Sequence, residues 1–122
     1  MTKKAIQKLE KQFDYLNAKY WNSQLPKIKI EISDIKNCYG EYQEPTNYDK
    51  DCYENYKITI NARLHWRTKT SMRSTLLHEM CHHALFINNK EKYWNKKIQW
   101  HGKEWRREME RVGFKKPIRA TT

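Results

Sequence analysis

The 122-residue chain predicts an α+β domain, with about three helices packed on a short antiparallel sheet of about three strands. Three observations carry this expectation. Apolar residues recur at helical spacing near the N-terminus, in the second half and near the C-terminus, and they alternate at strand spacing in two short stretches between. Five Trp, eight Tyr and three Phe supply apolar bulk for one small core in a chain whose mean hydropathy is only -1.12. No internal repeat, low-complexity tract or linker divides the sequence, so a single domain over 1–122 is expected.

The first helix is expected from Lys3 to Trp21, because Ile6, Leu9, Phe13, Leu16 and Tyr20 follow one another at steps of 3, 4, 3 and 4. Leu25-Pro26 ends it, since the residue before a proline is pushed out of the helical region. In Lys27 to Ser33, Ile28, Ile30 and Ile32 alternate with charged residues, the pattern of a strand with one buried face. A second strand fits Tyr39 to Tyr42, where Gly40 marks a bulge or a close backbone approach. The acidic stretch from Glu44 to Asn55, with Pro and Asn, is expected to be a loop, and Tyr56 to Asn61 a third strand.

After a connecting loop, Thr70 or Ser71 can cap a helix running to about Phe86, with Asn88-Asn89 as its stop signal. Asn89 to Trp100 has no clear period. A last helix fits Gly102 to Val112: Trp105, Met109 and Val112 share a face, and Gly113 stands where a terminating glycine belongs.

Charge is distributed unevenly. From Tyr39 to Tyr56 five acids face one Lys50, a net of −4, so the rest of the chain carries +15 and the total is +11. Such a surface favours polyanions, and aromatics interleaved with cations suit stacking on single-stranded bases. On this pattern Trp66, Trp94 and Trp100 stand in loops near Arg63, Arg67, Arg73, Lys92, Lys96 and Lys97, and of these Arg63, Arg67, Arg73, Lys96 and Lys97 are the candidate nucleic-acid contacts. A solvated face that promotes solubility is the alternative. No apolar run approaches the length of a membrane span, and the N-terminus lacks the pattern of a secretory signal. With Cys38, Cys52 and Cys81 odd in number and irregular in spacing, a reducing, cytoplasmic setting is expected. A monomer is also expected.

The residues that carry chemistry are His78-Glu79-Met80-Cys81-His82, an H-E-x-x-H pattern on the expected third-quarter helix. At about 100° per residue, positions four apart differ by only about 40° in direction, so two imidazoles project from one face and can grip one metal ion. Glu79 is rotated off that line, placed to take a proton from a zinc-activated water as general base. One Zn2+ is therefore the expected cofactor, and a catalytic zinc needs a third protein ligand. His83 points about 100° away from His82 and does not share the ion. His65, His101 and the carboxylates Glu104 and Glu108 remain. Cys81, inside the motif, is expected to pack beneath the helix.

With these residues in place, the chain resembles the SprT-like zinc metalloproteases, the family of bacterial SprT and the protease domain of Spartan. Phe13-Asp14-Tyr15-Leu16-Asn17 with Tyr20-Trp21 and Leu25-Pro26 is similar to the family's opening helix and turn. Ile58-Thr59-Ile60-Asn61 with Leu64 is similar to the strand before its active-site helix, Leu76 to His82 to that helix, and His101-Gly102-Lys103-Glu104-Trp105 to its H-G-x-x-[FW] segment. The resemblance implies a zincin-like fold, His101 as third zinc ligand, Glu79 as general base, and a zinc-dependent endopeptidase whose substrates include DNA-bound proteins. No C-x-x-C occurs in the sequence, so the cysteine-rich zinc ribbon that follows the core in many bacterial members is not expected among these residues.

Glu108, seven residues after His101 and on nearly the same helix face, is a candidate hydrogen-bond partner for a ligand imidazole, with a solvated carboxylate on a basic helix as the alternative, and Trp105 is a candidate for packing beside the site or on substrate. A competing expectation is a nucleic-acid- or partner-binding module with a mainly structural zinc, and a weaker one is hydrolysis of another amide. An intact Glu79 between the histidines favours catalysis, since a structural site has no use for a base.

Overall fold

A computed structural model of the chain describes residues 2–33, 38–43, 56–88 and 102–114. The fold class is α+β, as expected, with four helices and a three-stranded sheet among the described residues: α1 (Thr2–Trp21), β1 (Lys29–Ile32), β2 (Gly40–Gln43), β3 (Lys57–Ile60), α2 (Ala62–Thr68), α3 (Met72–Asn88) and α4 (Lys103–Arg111). The segments 44–55 and 89–100, read from sequence as an acidic loop and as unassigned, lie outside the described residues.

The apolar stripe of α1 packs inward through Leu9, Phe13 and Leu16, which are almost wholly buried. The helix stops after Trp21 because Asn22 and Ser23 both adopt left-handed backbone conformations. Asn17 fixes the return of the chain: its side chain accepts from Leu25 N at 3.1 Å and donates to Leu25 O at 3.0 Å. A buried amide that satisfies a backbone donor and acceptor at once locks the turn into β1.

The sheet order is β1-β3-β2, with β1 parallel and β2 antiparallel to β3. The sheet is thus mixed, where an antiparallel one was expected. Alternation shows which side chains share a face and is blind to strand direction. The most apolar strand takes the middle: Ile58 and Ile60 are fully buried, and Ile30, Ile58 and Ile60 join the core with residues of α1, α3 and α4. The opposite face carries Lys29, Glu31 and Lys57, where Glu31 bridges both lysines and its carboxyl is held below its ordinary pKa, chiefly by the Lys29 hydrogen bond.

The stretch after β3 is a helix, α2, and not the expected connecting loop. Asn61 caps it by accepting from Leu64 N at 3.0 Å, while its amide donates to Cys38 O at 3.1 Å. Lys69 ends it in the left-handed region. At seven residues it is too short to show a period, so the Asn61 cap was its one sequence signal. Cys38 and Cys81 are free thiols, and Cys52 lies outside the described residues. No helix among the described residues is long and apolar enough to cross a membrane.

Candidate functional site

α3 is buried on every side: each residue from Leu76 to Phe86 is shielded from solvent by α1, α4 or the sheet. Burial of a run that contains three histidines and a glutamate is the central fact of the molecule, because charged and polar groups enter a core only when something satisfies them. Helical spacing sorts the four into two sectors.

On one sector, the His78 and His82 rings lie 5.5 Å apart between centroids, and both meet the indole of Trp105. His78 approaches it at 4.9 Å and His82 stacks on it at 5.2 Å with 12° between planes. Trp105 sits in the first turn of α4, so this contact seats the start of α4 beside the two imidazoles. Of Trp105's two expected placements, packing beside the site describes what it does.

Glu79 is fully buried on the same stretch. Its Oε2 lies 3.9 Å from His78 Nε2, beyond hydrogen-bond reach, and neither carboxyl oxygen has a hydrogen-bond partner among the described residues. Burial, assisted by the charge of Glu41, pushes the Glu79 carboxyl well above its usual range. Two imidazoles converging from one helix face beside a carboxyl without hydrogen bonds are donors of the kind zinc takes. Among the described residues no set of three His, Cys, Asp or Glu is complete enough to hold a metal, and His101, the third ligand the resemblance implies, lies outside them.

The remaining expected residues fall elsewhere. Glu108 is engaged toward α1: its carboxylate accepts from Arg111 Nε and, at 3.5 Å, from Trp21 Nε1, while Arg111 reaches Tyr20 O at 2.8 Å. Glu104, in the first turn of α4, is half-buried. Cys81 is wholly buried and its thiol pKa is pushed up by burial, as its expected packing role requires. His65, the other alternative third ligand, is buried on α2 and hydrogen-bonded through Nδ1 to Thr70 Oγ1 at 2.8 Å. Arg63 and Arg67 are exposed on α2 and Arg73 on the first turn of α3; Lys96 and Lys97 lie outside the described residues. Trp66 stands on a helix and not in a loop, and Trp94 and Trp100 also lie outside the described residues.

Sequence reasoning gave His83 no role beyond its exclusion from the metal. Its Nε2 donates to Pro26 O at 3.0 Å, so in the neutral ring Nδ1 accepts from the Tyr42 hydroxyl at 2.8 Å. Tyr42 and Pro26 carried no sequence signal linking them to α3, since both contacts are made only by the tertiary fold.

No curated protein and no solved structure matches the chain. A sequence model of one family does, over residues 9–122, and those residues include every element from the body of α1 onward. The chain belongs to the SprT-like family, and its domain is of the metalloprotease type.

Proposed function

We propose that the chain is a zinc-dependent endopeptidase in which His78, His82 and His101 hold one zinc ion and Glu79 is the general base. The observation that carries this reading is the Glu79 carboxyl, fully buried 3.9 Å from His78 Nε2 with no hydrogen-bond partner among the described residues. A carboxyl left so in a core costs stability, on the order of 1–3 kcal/mol for an unsatisfied buried group. Its retention between two imidazoles fits a group kept for proton transfer.

When bound, zinc supplies Lewis acidity toward a peptide carbonyl and water, and its positive charge favours the ionised form of the neighbouring carboxyl. Glu79 takes a proton from the attacking water at one carboxyl oxygen and delivers it to the departing amide nitrogen, so that the C–N bond breaks as the new C–O bond is established. Trp105 keeps both imidazoles packed and limits water beside them. Support for His101 is its position in sequence, one residue before Gly102, which caps the helix that brings Trp105 to the histidines.

The test compares wild type with Glu79→Gln for metal content and for cleavage of an unfolded protein such as casein. About one zinc per chain is expected in both, with cleavage lost by roughly 10²- to 10⁴-fold in the variant. Equal cleavage by the two would overturn the assignment of the base, and a wild-type chain that binds no zinc would overturn the metal.

A further inference from the structure

α4 meets the rest of the molecule along two lines of side chains. Trp105, Met109 and, just past the helix end, Val112 are buried and join the core that α1 and α3 share. Trp105, Glu108 and Arg111, at steps of three, lead along the helix from the two imidazoles of the motif to the end of α1. At 1.5 Å per residue the six positions from Trp105 to Arg111 span about 9 Å. The indole against His78 and His82 and the contacts to α1 therefore stand at opposite ends of one short rigid element.

The α1 end is built as a latch. The turn after α1 uses two of the helix's last carbonyls itself: Asn17 O accepts from Ser23 N at 2.9 Å, and Trp21 O from Gln24 N at 3.0 Å. Tyr20 O, another carbonyl that the end of a helix leaves without an intrahelical donor, accepts from Arg111 Nη1 at 2.8 Å. Arg111 Nε donates to the Glu108 carboxylate, which also accepts from Trp21 Nε1 at 3.5 Å, and the guanidinium carbon lies 5.5 Å from the centre of the Trp21 ring. One guanidinium thus joins the last turns of two helices in three ways, a fork that a lysine does not reproduce. Glu108 and Arg111 line an open groove where the ends of α1, α3 and α4 meet, so the latch lies at the surface and the apolar anchors of α4 lie beneath it.

We propose that Arg111, with Glu108, is a positioning residue for the metal centre: by fixing the C-terminal end of α4 to α1 it sets the tilt of that helix, holds the Trp105 indole against His78 and His82, and sets where Gly102, the residue after His101, begins the helix. The apolar anchors leave that tilt under-determined, because Met109 is an unbranched side chain that packs in many ways. A tilt of about 10° pivoting at the α1 end would move Trp105 by about 1.6 Å, several times the roughly 0.5 Å within which the groups of a site must be held. A clamp that added only stability would make the same hydrogen bonds, and what separates the two roles is whether the imidazoles feel its loss.

The first readout needs no metal. The stacked indole displaces the NMR resonances of the His82 ring protons by its ring current, and in the full chain Arg111→Ala should move them toward their positions in the unfolded chain. Glu108→Gln keeps an acceptor oxygen for Arg111 and Trp21 and should retain most of the displacement; Arg111→Lys, with the charge but not the fork, should fall between. The second readout rests on the zinc reading proposed above: by chelator competition Arg111→Ala should bind zinc roughly 10-fold more weakly, the lower end of the cost of losing a partner behind a metal ligand. Its Co2+-loaded form should show an altered visible spectrum. All readings are taken well below the melting temperature of each variant, so lost stability alone leaves them unchanged, and Arg111, 48% exposed, can be replaced without opening the core. Wild-type His82 shifts in Arg111→Ala overturn the proposal whatever the variant's stability, and so does unchanged zinc affinity beside a wild type that binds zinc. A wild type that binds no zinc overturns the metal reading instead, and the ring shifts still decide whether the latch places Trp105.

Discussion

His82 and His83 are neighbours on one helix and both are buried, yet the two sectors of α3 they occupy are built on opposite terms. On the His83 sector every ring nitrogen has its protein partner, Pro26 O on one side and the Tyr42 hydroxyl on the other; the rings of Tyr42 and Tyr56 pack on the imidazole, and Phe86 packs on both tyrosines. On the Glu79 sector a carboxyl is buried just as deeply with neither oxygen hydrogen-bonded among the described residues. Burial alone therefore does not distinguish structure from function here. The difference lies in whether the fold itself satisfies the group: where it does, the residue holds elements together, and where it does not, the residue is left available to something the chain does not supply.

The largest expected effect follows from removing the satisfied side. His83→Ala opens a cavity in the core and removes the hydrogen-bond partner that the half-buried Pro26 carbonyl and Tyr42 hydroxyl share, and should cost about 2–5 kcal/mol in urea unfolding of the metal-free chain. Zinc bound per folded molecule should stay at the wild-type value, since His83 faces away from the motif. A variant that keeps full stability but loses metal would reverse the roles assigned to the two sectors.

The opposite sign is expected across the helix. Glu79→Met replaces a buried, unsatisfied carboxyl by an apolar chain of similar volume, so the metal-free protein should gain about 1–3 kcal/mol while hydrolysis disappears. If Glu79→Met destabilises the metal-free fold as His83→Ala does, then Glu79 is held by the fold after all and the contrast fails.

β2 touches both sectors and supplies a smaller effect. Tyr42 reaches His83, while Gly40, two residues earlier, is pressed against Thr75, one turn before Glu79. A Cβ on Gly40 would come within 2.6 Å of Thr75 Cγ2 and 3.1 Å of Thr59 O, and neither the branched side chain nor the sheet backbone can move far. Gly40→Ala should cost about 1–3 kcal/mol by overpacking. It should also lower activity per folded molecule, because the strand is displaced beside Glu79; unchanged activity and stability would mean the approach is looser than its geometry.

What the sequence disclosed divides along the same line. The motif sector is local: His78, Glu79 and His82 lie within five residues, helical spacing brings them to one face, and their chemistry is legible from residue type alone. The stripe of Ile6 to Tyr20 and the alternation of Ile28, Ile30 and Ile32 are local in the same sense, and both elements lie where they were expected. The His83 sector is assembled from Pro26, Tyr42 and Tyr56, far apart in the chain, and no periodicity reports such a meeting. The parallel pairing of β1 with β3 escaped for the same reason. Glu108 is the converse: its spacing from His101 offers an imidazole partner, whereas among the described residues its carboxylate meets Arg111 on its own helix and Trp21 on α1, contacts that no spacing announced.

His65 is the intermediate case and carries the smallest of these effects. One nitrogen is used, since Nδ1 donates to Thr70, and the other, Nε2, is buried without a hydrogen-bond partner among the described residues. Burial holds its pKa below the ordinary 6.5, with hydrogen bonding to Thr70 partly opposing the shift. A histidine that resists protonation only when folded binds fewer protons than its unfolded counterpart, so its contribution is complete above pH 6.5 and is lost as pH falls toward the folded value. Unfolding of the metal-free chain measured from pH 7.5 down to pH 5 should therefore show a loss of stability that is shallower in His65→Asn. An identical slope in the variant would mean that Nε2 finds an acceptor when protonated, placing His65 with His83 among the groups the fold satisfies.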